Sequence, residues 1–313
     1  MKKFDYKNIF KNNHVAISRA ISMAENNDPK IVHFYNEVYR KSNNSLRIGI
    51  TGPPGAGKST LVDQLISYFL FKKKSVGVVA IDPSSPFSGG ALLGDRVRMS
   101  KYSDNDDVYI RSMGNRGDLG GLSRKAQEVG DILAASGKDI VIFETVGVGQ
   151  AEHDIINTAD YTAVVLVPES GDEVQLMKAG IIEIADIFII NKSDRPGSKR
   201  IERALTDILH SSKMKDSHTP KVMNTAASIG EGVEELFTKI LDDIDLFKKT
   251  GRLKKRRLDR YKNRIKSIIS ERLENEFWIK EREDLFKNIT SSINTTDTPP
   301  GSVVKQLISN FRN

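Results

Sequence analysis

Between Leu46 and Lys249, short apolar runs alternate with segments whose apolar residues recur at helical spacing. Several runs are apolar at consecutive positions, which is typical of strands covered on both faces. We expect strands at 46–51, 76–82, 108–112, 139–145, 161–168, 186–192 and 220–226, and helices at roughly 57–71, 122–136, 174–184, 198–212 and 232–247. This alternation predicts an α/β fold with a doubly wound, mostly parallel sheet.

The two ends of the chain follow a helical pattern. Residues 1–43 carry apolar side chains at helical spacing on both sides of the turn sequence NNDP, which predicts a pair of helices. From Arg252 onward the chain is charged and helical, with an apolar stripe at Leu258, Tyr261, Ile265, Ile268, Ile269, Leu273 and Phe277. We therefore expect an N-terminal helical extension (1–43), a main domain (44–249) and a C-terminal helical arm (250–313).

The composition excludes several classes of protein. A chain of 313 residues with 38% hydrophobic and 28% charged residues can form a large soluble core without metals or disulfides. Cysteine is absent, which excludes disulfides and thiolate metal sites and is compatible with the cytoplasm. No apolar run approaches the roughly 18 residues of a membrane span, and the first residues lack a signal-peptide pattern. We expect a cytoplasmic protein that has no membrane partner.

The segment GPPGAGKS matches the phosphate-binding pattern G-x-x-x-x-G-K-[ST], directly after a predicted strand and before a predicted helix. Its glycines let backbone N–H groups surround phosphates, Lys58 supplies a cation, and the Ser59 hydroxyl can bind magnesium. The nucleotide contacts expected in this P-loop are Gly52, Pro53, Pro54, Gly55, Ala56, Gly57, Lys58, Ser59 and Thr60.

The tetrad NKSD, Asn191 to Asp194, indicates that the base is guanine. It follows a predicted strand, and the Asp194 carboxylate can accept hydrogen bonds from the ring N–H and the exocyclic amine of guanine. Adenine offers no such pair of donors, so ATP should be rejected. Asn191 and Lys192 complete this set, and a backbone N–H near Ala226 and Ala227 is expected to contact the guanine carbonyl.

Three carboxylates lie where a magnesium site and a reacting phosphate would be. Asp82 ends a predicted strand and Asp95 follows a loop rich in Pro, Ser and Gly, so both can reach magnesium together with Ser59. The alternative is a purely structural role, in which the two aspartates only stabilise turns. Glu144, in FETVGVGQ, is then left to orient the attacking water or a magnesium-bound water, while Gly147 can turn an N–H toward the γ-phosphate.

These motifs together resemble the MeaB/ArgK family of P-loop GTPases, the bacterial relatives of the human methylmalonic aciduria type A protein. The resemblance rests on GPPGAGKST, DPSSPF, GGALLGDRVRM, ETVGVGQ, ESGDEVQ and NKSD, and it covers most of residues 10–245. It implies a G-protein chaperone that gates adenosylcobalamin delivery to an acyl-CoA mutase and protects that mutase. Cobalamin would be met only through the partner.

The resemblance also implies roles for individual residues. It places Lys58 and Ser59 at phosphate and magnesium, Asp82 and Asp95 near magnesium, and Glu144 in hydrolysis. Further matches are to segments that couple the nucleotide to the mutase: Gln150 in switch II and Asp172, Gln175 and Lys178 in a third switch. The chain departs from the family in two places. The Ser-Ala pair of the family's guanine-contacting loop is Ala226-Ala227 here. The C-terminal arm, which builds a homodimer in the family, is similar only in its helical character.

Other interpretations stay open. The net charge of +7 comes from residues 252–266, which hold nine Lys or Arg against Asp259, so the segment could bind nucleic acid. Because Tyr261 is its one aromatic residue, a solvated or dimer-flanking helix is favoured, with no nucleic-acid partner. A nickel-delivery GTPase would need Cys or His ligands, and a transport-system kinase or ATPase is disfavoured by NKSD.

Overall fold

The computed structural model describes residues 4–82, 100–114, 119–145, 158–169, 184–211, 219–291, 298–309 and 311. Seven strands form one sheet in the order β3-β2-β4-β1-β5-β6-β7, and each of the six described pairings is parallel. The strands are β1 (Leu46–Thr51), β2 (Val76–Asp82), β3 (Val108–Gly114), β4 (Ile140–Thr145), β5 (Tyr161–Leu166), β6 (Ile187–Asn191) and β7 (Lys221–Thr225). The predicted α/β fold with a doubly wound sheet is confirmed.

Nine helices of the described part are labelled here in chain order. They are α1 (His14–Glu25), α2 (Val32–Lys41), α3 (Lys58–Phe71), α4 (Leu119–Ala135), α5 (Ser198–Ser211), α6 (Val233–Lys249), α7 (Arg252–Phe277), α8 (Lys280–Ile289) and α9 (Pro300–Ser309). In the described ranges, no helix is both long and apolar enough to cross a membrane. The helix expected at 174–184 lies outside the described residues, apart from Ile184 at its end.

Alternate strand residues face opposite sides of the sheet, so both faces are covered. Ile140 and Ile142 of β4 pack with α3 and α6, whereas Val141 and Phe143 pack with α4 and the N-terminal helices. The core residues on the first face include Leu61, Leu65 and Phe69 of α3 and Leu236, Phe237 and Ile240 of α6. This two-sided burial explains why the strands are apolar at consecutive positions.

The N-terminal helices are part of this core. Ile17 and Ile21 of α1 and Phe34 and Val38 of α2 are at most 3% exposed and share a cluster with Phe143 of β4. A polar contact reinforces the packing, because the Tyr35 hydroxyl donates to the Asp131 carboxylate of α4 over 2.5 Å. The two helices predicted before the main fold therefore complete one of its faces.

Two buried aspartates precede strands at the amino edge of the sheet. Asp160 and Asp186, both 0% exposed, come directly before β5 and β6. Arg256 donates to both oxygens of Asp186, at 2.5 and 2.7 Å, and Arg257 donates to both oxygens of Asp160, at 3.2 and 2.8 Å. A buried carboxylate without such a partner would be strongly unfavourable.

Arg257 also donates to the carbonyl oxygens of Asn43 and Ser45, which lie just before β1. The first turns of α7 are therefore paired with the sheet, and Arg252 adds a third contact, to Asp186 at 3.3 Å. This corrects the expectation that the whole basic segment is a solvated or dimer-flanking helix. Three of its arginines neutralise buried carboxylates that lie far away in sequence.

The chain divides into two compact units, residues 1–257 and 258–313. In the second unit Phe277, Trp278, Phe286 and Phe311 make edge contacts, with ring centroids 5.0 to 5.5 Å apart. On α7 the predicted stripe is present at Leu258, Tyr261, Ile265, Ile269 and Leu273, whose exposed fractions lie between 40% and 52%.

Most strand boundaries match those predicted, and the differences have local causes. The strand expected at 186–192 ends at Asn191 because Lys192 has φ of +58°, a left-handed conformation that leaves the strand. The strand expected at 161–168 ends at Leu166, ahead of Pro168, which cannot donate a ladder hydrogen bond. The strand expected at 108–112 continues to Gly114.

Lys138 lies just before β4, is 1% exposed, and should make the stability of the protein depend on pH. Its ammonium donates to Asp106 O over 2.6 Å, and burial lowers its pKa to about 8 despite the nearby Asp107 and Asp106. In the unfolded chain the pKa returns to about 10.4, so between these values the unfolded state binds more protons. We expect the free energy of unfolding to rise with pH across this window, by at most about 1.4 kcal/mol per unit.

Denaturant unfolding of the wild type and of Lys138→Met from pH 7.5 to 10 measures this effect. The difference between the two proteins should change with pH, whereas the exposed control Lys255→Met should follow the wild type. Parallel curves for wild type and Lys138→Met would show that Lys138 keeps an ordinary pKa.

Candidate nucleotide-binding site

The P-loop follows β1 and ends in the first turn of α3, as its sequence predicts. Gly52, Gly55 and Gly57 have positive φ angles, and Gly57 precedes the helix as its N-cap. Two of these positions also allow close approach, because a Cβ on Gly52 would lie 2.0 Å from Val165 O and one on Gly57 2.4 Å from Asn191 Nδ2. The glycines thus give the loop its shape, and the N-terminus of α3 favours an anion beside it.

The Lys58 side chain is held inside the loop. Its ammonium donates to Gly52 O over 2.6 Å and to Pro53 O over 2.7 Å, and the residue is 6% exposed. These contacts bring the cation to the backbone that would surround a phosphate. The arrangement suits an anionic ligand, because the positive charge and the helix N-terminus act on the same place.

Asn191 connects the P-loop to the loop after β7. Its amide nitrogen donates to Ala56 O over 2.8 Å, and its amide oxygen accepts from Thr225 Oγ1 and from Ala227 N, each at 3.1 Å. Lys192 adds a second link, since its ammonium donates to Gly55 O over 2.7 Å. The structure therefore brings together the first two residues of NKSD, the P-loop and the loop predicted to contact guanine.

Asp194, the carboxylate predicted to read the base, lies exposed after Lys192. Next to it, Arg195 donates to Glu169 Oε1 over 2.7 Å, and this hydrogen bond lowers the pKa of Glu169 below its ordinary value. Glu169 is the last described residue before the third switch predicted from the resemblance. The residue that follows NKSD is thus in contact with Glu169, the end of the described segment after β5.

The loop after β7 uses its first two N–H groups within the protein. Ala226 N donates to Glu231 O over 2.9 Å, and Ala227 N donates to Asn191. From the other side, Gln64 of α3 donates through Nε2 to Ala227 O over 3.1 Å. The backbone contact predicted for guanine thus lies in a loop that is held from two directions.

Glu144 lies at the carboxyl end of β4, next to the end of β1 in the sheet. It is 5% exposed, and its Oε1 accepts a hydrogen bond from Ser59 Oγ over 2.5 Å. Close by, Thr145 Oγ1 donates to Thr51 Oγ1 over 2.9 Å. Sequence reasoning places Glu144 and Ser59 in one site, but it does not predict their direct contact.

The residues present fit a magnesium ion. The Ser59 hydroxyl is a hard oxygen ligand of the kind that magnesium prefers, and it lies beside the loop that would hold the phosphates. The Glu144 carboxylate next to it could accept a hydrogen bond from a magnesium-bound water. Asp82 ends β2 at the same edge of the sheet, although its side chain is outside what the structure describes. The remaining predicted residues, Asp95, Gly147, Gln150, Asp172, Gln175 and Lys178, also lie outside the described ranges.

Sequence reasoning missed Gln64 and the pair of Thr51 and Thr145. Gln64 gave a weak signal, since it is a polar residue directly before the buried Leu65. The two threonines gave none, because the distance between them depends on the pairing of β1 with β4.

Known proteins resemble this chain over most of its length. A family model described as "Methylmalonyl Co-A mutase-associated GTPase MeaB" matches residues 17–282. A putative GTPase of Pyrococcus abyssi is 42% identical over 296 residues, covering 94% of this chain and 91% of the relative. The protein named methylmalonic aciduria type A homolog, mitochondrial, of Caenorhabditis elegans is 30% identical over 328 residues, with 98% and 82% covered.

A solved structure titled "Crystal structure of LAO/AO transport system kinase" has a TM-score of 0.72 at 23% identity, covering 98% of this chain and 96% of that chain. This likeness concerns the fold. The sheet and its glycine-rich loop define a P-loop nucleotide-binding protein of the α/β class. Within that class, the chain belongs to the MeaB family of GTPases, so the resemblance seen in its motifs is confirmed.

Asp194→Asn tests the base-reading carboxylate. The amide would face one guanine donor with a donor of its own, so GDP affinity should fall by about tenfold to a hundredfold, as expected for a lost bond to a charged group. Xanthosine diphosphate, which has a carbonyl in place of the exocyclic amine, should bind the variant better than the wild type. Calorimetric titration measures both, with the exposed Asp245→Asn of α6 as control. Unchanged GDP affinity would show that another group reads the base.

Proposed function

We propose that this protein binds GTP and hydrolyses it to GDP and phosphate in a magnesium-dependent reaction. The observation that carries the proposal is the single connected site formed by the P-loop, Asn191, Lys192 and the Ser59–Glu144 pair. Family membership supports the same activity, as do relatives that are named GTPases. An ATP-dependent kinase does not explain why NKSD lies against the P-loop.

The predicted residues of the site have different roles in this proposal. Lys58 and the loop N–H groups bind the phosphates, Ser59 with Asp82 and Asp95 would hold magnesium, and the ion, when bound, neutralises negative charge on the phosphates. Gly147 and Gln150 belong to the segment that senses the γ-phosphate. Asp172, Gln175 and Lys178 belong to the third switch.

Glu144 acts on the attacking water or on a neighbouring water and is not itself a metal ligand in this proposal. One contact of Glu144 is with the Ser59 hydroxyl, which can donate to the carboxylate while the lone pairs of the Ser59 oxygen stay directed elsewhere. The carboxylate therefore orients Ser59 and lies at the phosphate end of the site. Two aspartates on other segments suffice for the metal.

Substitution Glu144→Gln separates these roles. Glutamine keeps the side-chain length and can still accept from Ser59, but it cannot take a proton from water. Turnover of GTP should therefore fall by at least about tenfold, as expected when a general base is removed, while GTP affinity stays within about twofold. Single-turnover hydrolysis and nucleotide titration, each with and without magnesium, measure the two quantities.

The control is Glu235→Gln on the exposed surface of α6, which should leave both quantities unchanged. A loss of GTP affinity that appears only with magnesium present would make Glu144 a metal ligand and contradict the proposed division of roles.

The biological role that we propose is the gating of adenosylcobalamin delivery to an acyl-CoA mutase of the methylmalonyl-CoA mutase type, together with protection of that mutase. The family description names association with methylmalonyl-CoA mutase, and the C. elegans relative is named for methylmalonic aciduria. Cobalamin would be bound by the mutase. A nickel-delivery GTPase is disfavoured because a chain without cysteine lacks the usual thiolate ligands.

Co-purification tests the partner. The full chain, loaded with a non-hydrolysable GTP analogue or with GDP, is passed over its host's acyl-CoA mutase and the bound fraction is measured. We expect association that differs between the two nucleotides. Equal absence of binding in both states would contradict the chaperone role while leaving the GTPase activity intact.

We propose that the protein is cytoplasmic and is organised as an N-terminal extension (1–43), a GTPase domain (44–249) and a C-terminal arm (250–313). We further propose that two copies form a homodimer through the second unit. The supporting observation is the apolar stripe on α7, which is 40% to 52% exposed in the single chain. A second copy could cover this stripe, because identical apolar faces are self-complementary about a two-fold axis. Sedimentation that shows only monomer would contradict this part of the proposal.

A further inference from the structure

Gln64 lies in the second turn of α3, the helix that follows the P-loop. Its side chain is half-buried, and its amide nitrogen donates to Ala227 O over 3.1 Å. Ala227 is itself 1% exposed, and its N–H donates to Asn191. Both backbone polar groups of Ala227 therefore have partners, one from β6 and one from α3.

A planar trans peptide makes this contact directional. The carbonyl of Ala227 and the N–H of Ser228 belong to the same peptide unit and point in opposite directions. Because Gln64 holds the carbonyl toward α3, the Ser228 N–H points away from α3. Ser228 is exposed, and within the described part of the chain no hydrogen bond from its N–H is found.

We propose that Gln64 is a positioning residue for the guanine base: it orients the Ala227–Ser228 peptide so that the Ser228 N–H donates to the 6-carbonyl of the base. This inference rests on the guanine-nucleotide site proposed above. It assigns the base contact to the third N–H of the loop, because those of Ala226 and Ala227 already donate to Glu231 O and Asn191 Oδ1.

The chemistry makes Gln64 a determinant of base specificity. A backbone N–H in this orientation favours bases with an acceptor at position 6, which guanine and hypoxanthine have. Adenine presents an amine there, so the N–H would face another donor. A purely structural role for Gln64 in fixing α3 would instead affect every nucleotide equally, because α3 begins at Lys58 and Ser59.

The test compares dissociation constants of GDP, IDP and ADP for the wild-type full chain and for Gln64→Met. Methionine keeps the length and helix propensity of glutamine but removes the donor. We expect GDP and IDP to bind the variant about three- to tenfold more weakly, and by the same factor, as for the loss of one hydrogen bond. ADP binding should be unchanged.

A second variant, Gln64→Glu, places a carboxylate against the Ala227 carbonyl and should weaken GDP and IDP further while sparing ADP. Gln306→Met is the matched control, an identical change at an exposed position of α9, and should leave all three constants unchanged. Thermal unfolding of each variant confirms that equal amounts of folded protein are compared.

Two results would overturn the proposal. An equal loss for GDP, IDP and ADP would show that Gln64 acts through α3 and the phosphate loop, and no loss for any nucleotide would show that the contact is not used. A wild type that binds ADP as tightly as GDP would instead overturn the guanine-nucleotide assignment itself. The failure of this inference can therefore be distinguished from that of the proposed function.

Discussion

The site depends on one buried side chain, the amide of Asn191, which joins segments that are distant in sequence. It donates to the P-loop at Ala56 O and accepts from Thr225 at the end of β7 and from Ala227 in the loop that follows. Loss of these hydrogen bonds would leave several buried polar groups unpaired, which would destabilise the folded protein. The distance between the phosphate end and the base end is therefore fixed by the protein itself. Gly57 is part of this constraint, because a side chain there would displace the amide.

The two edges of the parallel sheet are stabilised in different ways. At the amino edge, Asp160 and Asp186 are fully buried and are paired with arginines from the start of α7. At the carboxyl edge the strands end in polar residues. Thr145 at the end of β4 contacts Thr51 at the end of β1, and Glu144 contacts Ser59 in the first turn of α3. Ligands of open α/β sheets bind at this second edge. The ion pairs with α7 therefore stabilise the edge of the sheet that lies opposite to the site.

The sequence predicted the features that local patterns determine. Consecutive apolar residues predicted all seven strands. The motifs GPPGAGKS and NKSD predicted the two ends of the site, because each motif is a continuous stretch that can be recognised without knowledge of distant contacts. Contacts between distant segments were not predictable. The charge run at residues 252–266 was interpreted as a solvated or dimer-flanking helix, yet Arg256 and Arg257 reach aspartates about 70 and 97 positions away. Gln64 lacked a motif for the same reason, because its partner is Ala227.

The two ends of the nucleotide site also differ in this respect, since one depends on local contacts and the other on distant ones. The phosphate end is encoded in one stretch, so its chemistry follows from eight residues and the helix that they begin. The base end is assembled from three segments: the NKSD loop, the loop after β7, and α3 with Gln64. The loop with Ala226 and Ala227 is held by side chains of the other two segments, which contact its backbone atoms. Base recognition should therefore be read from contacts in the folded chain, whereas phosphate binding can be read from the sequence.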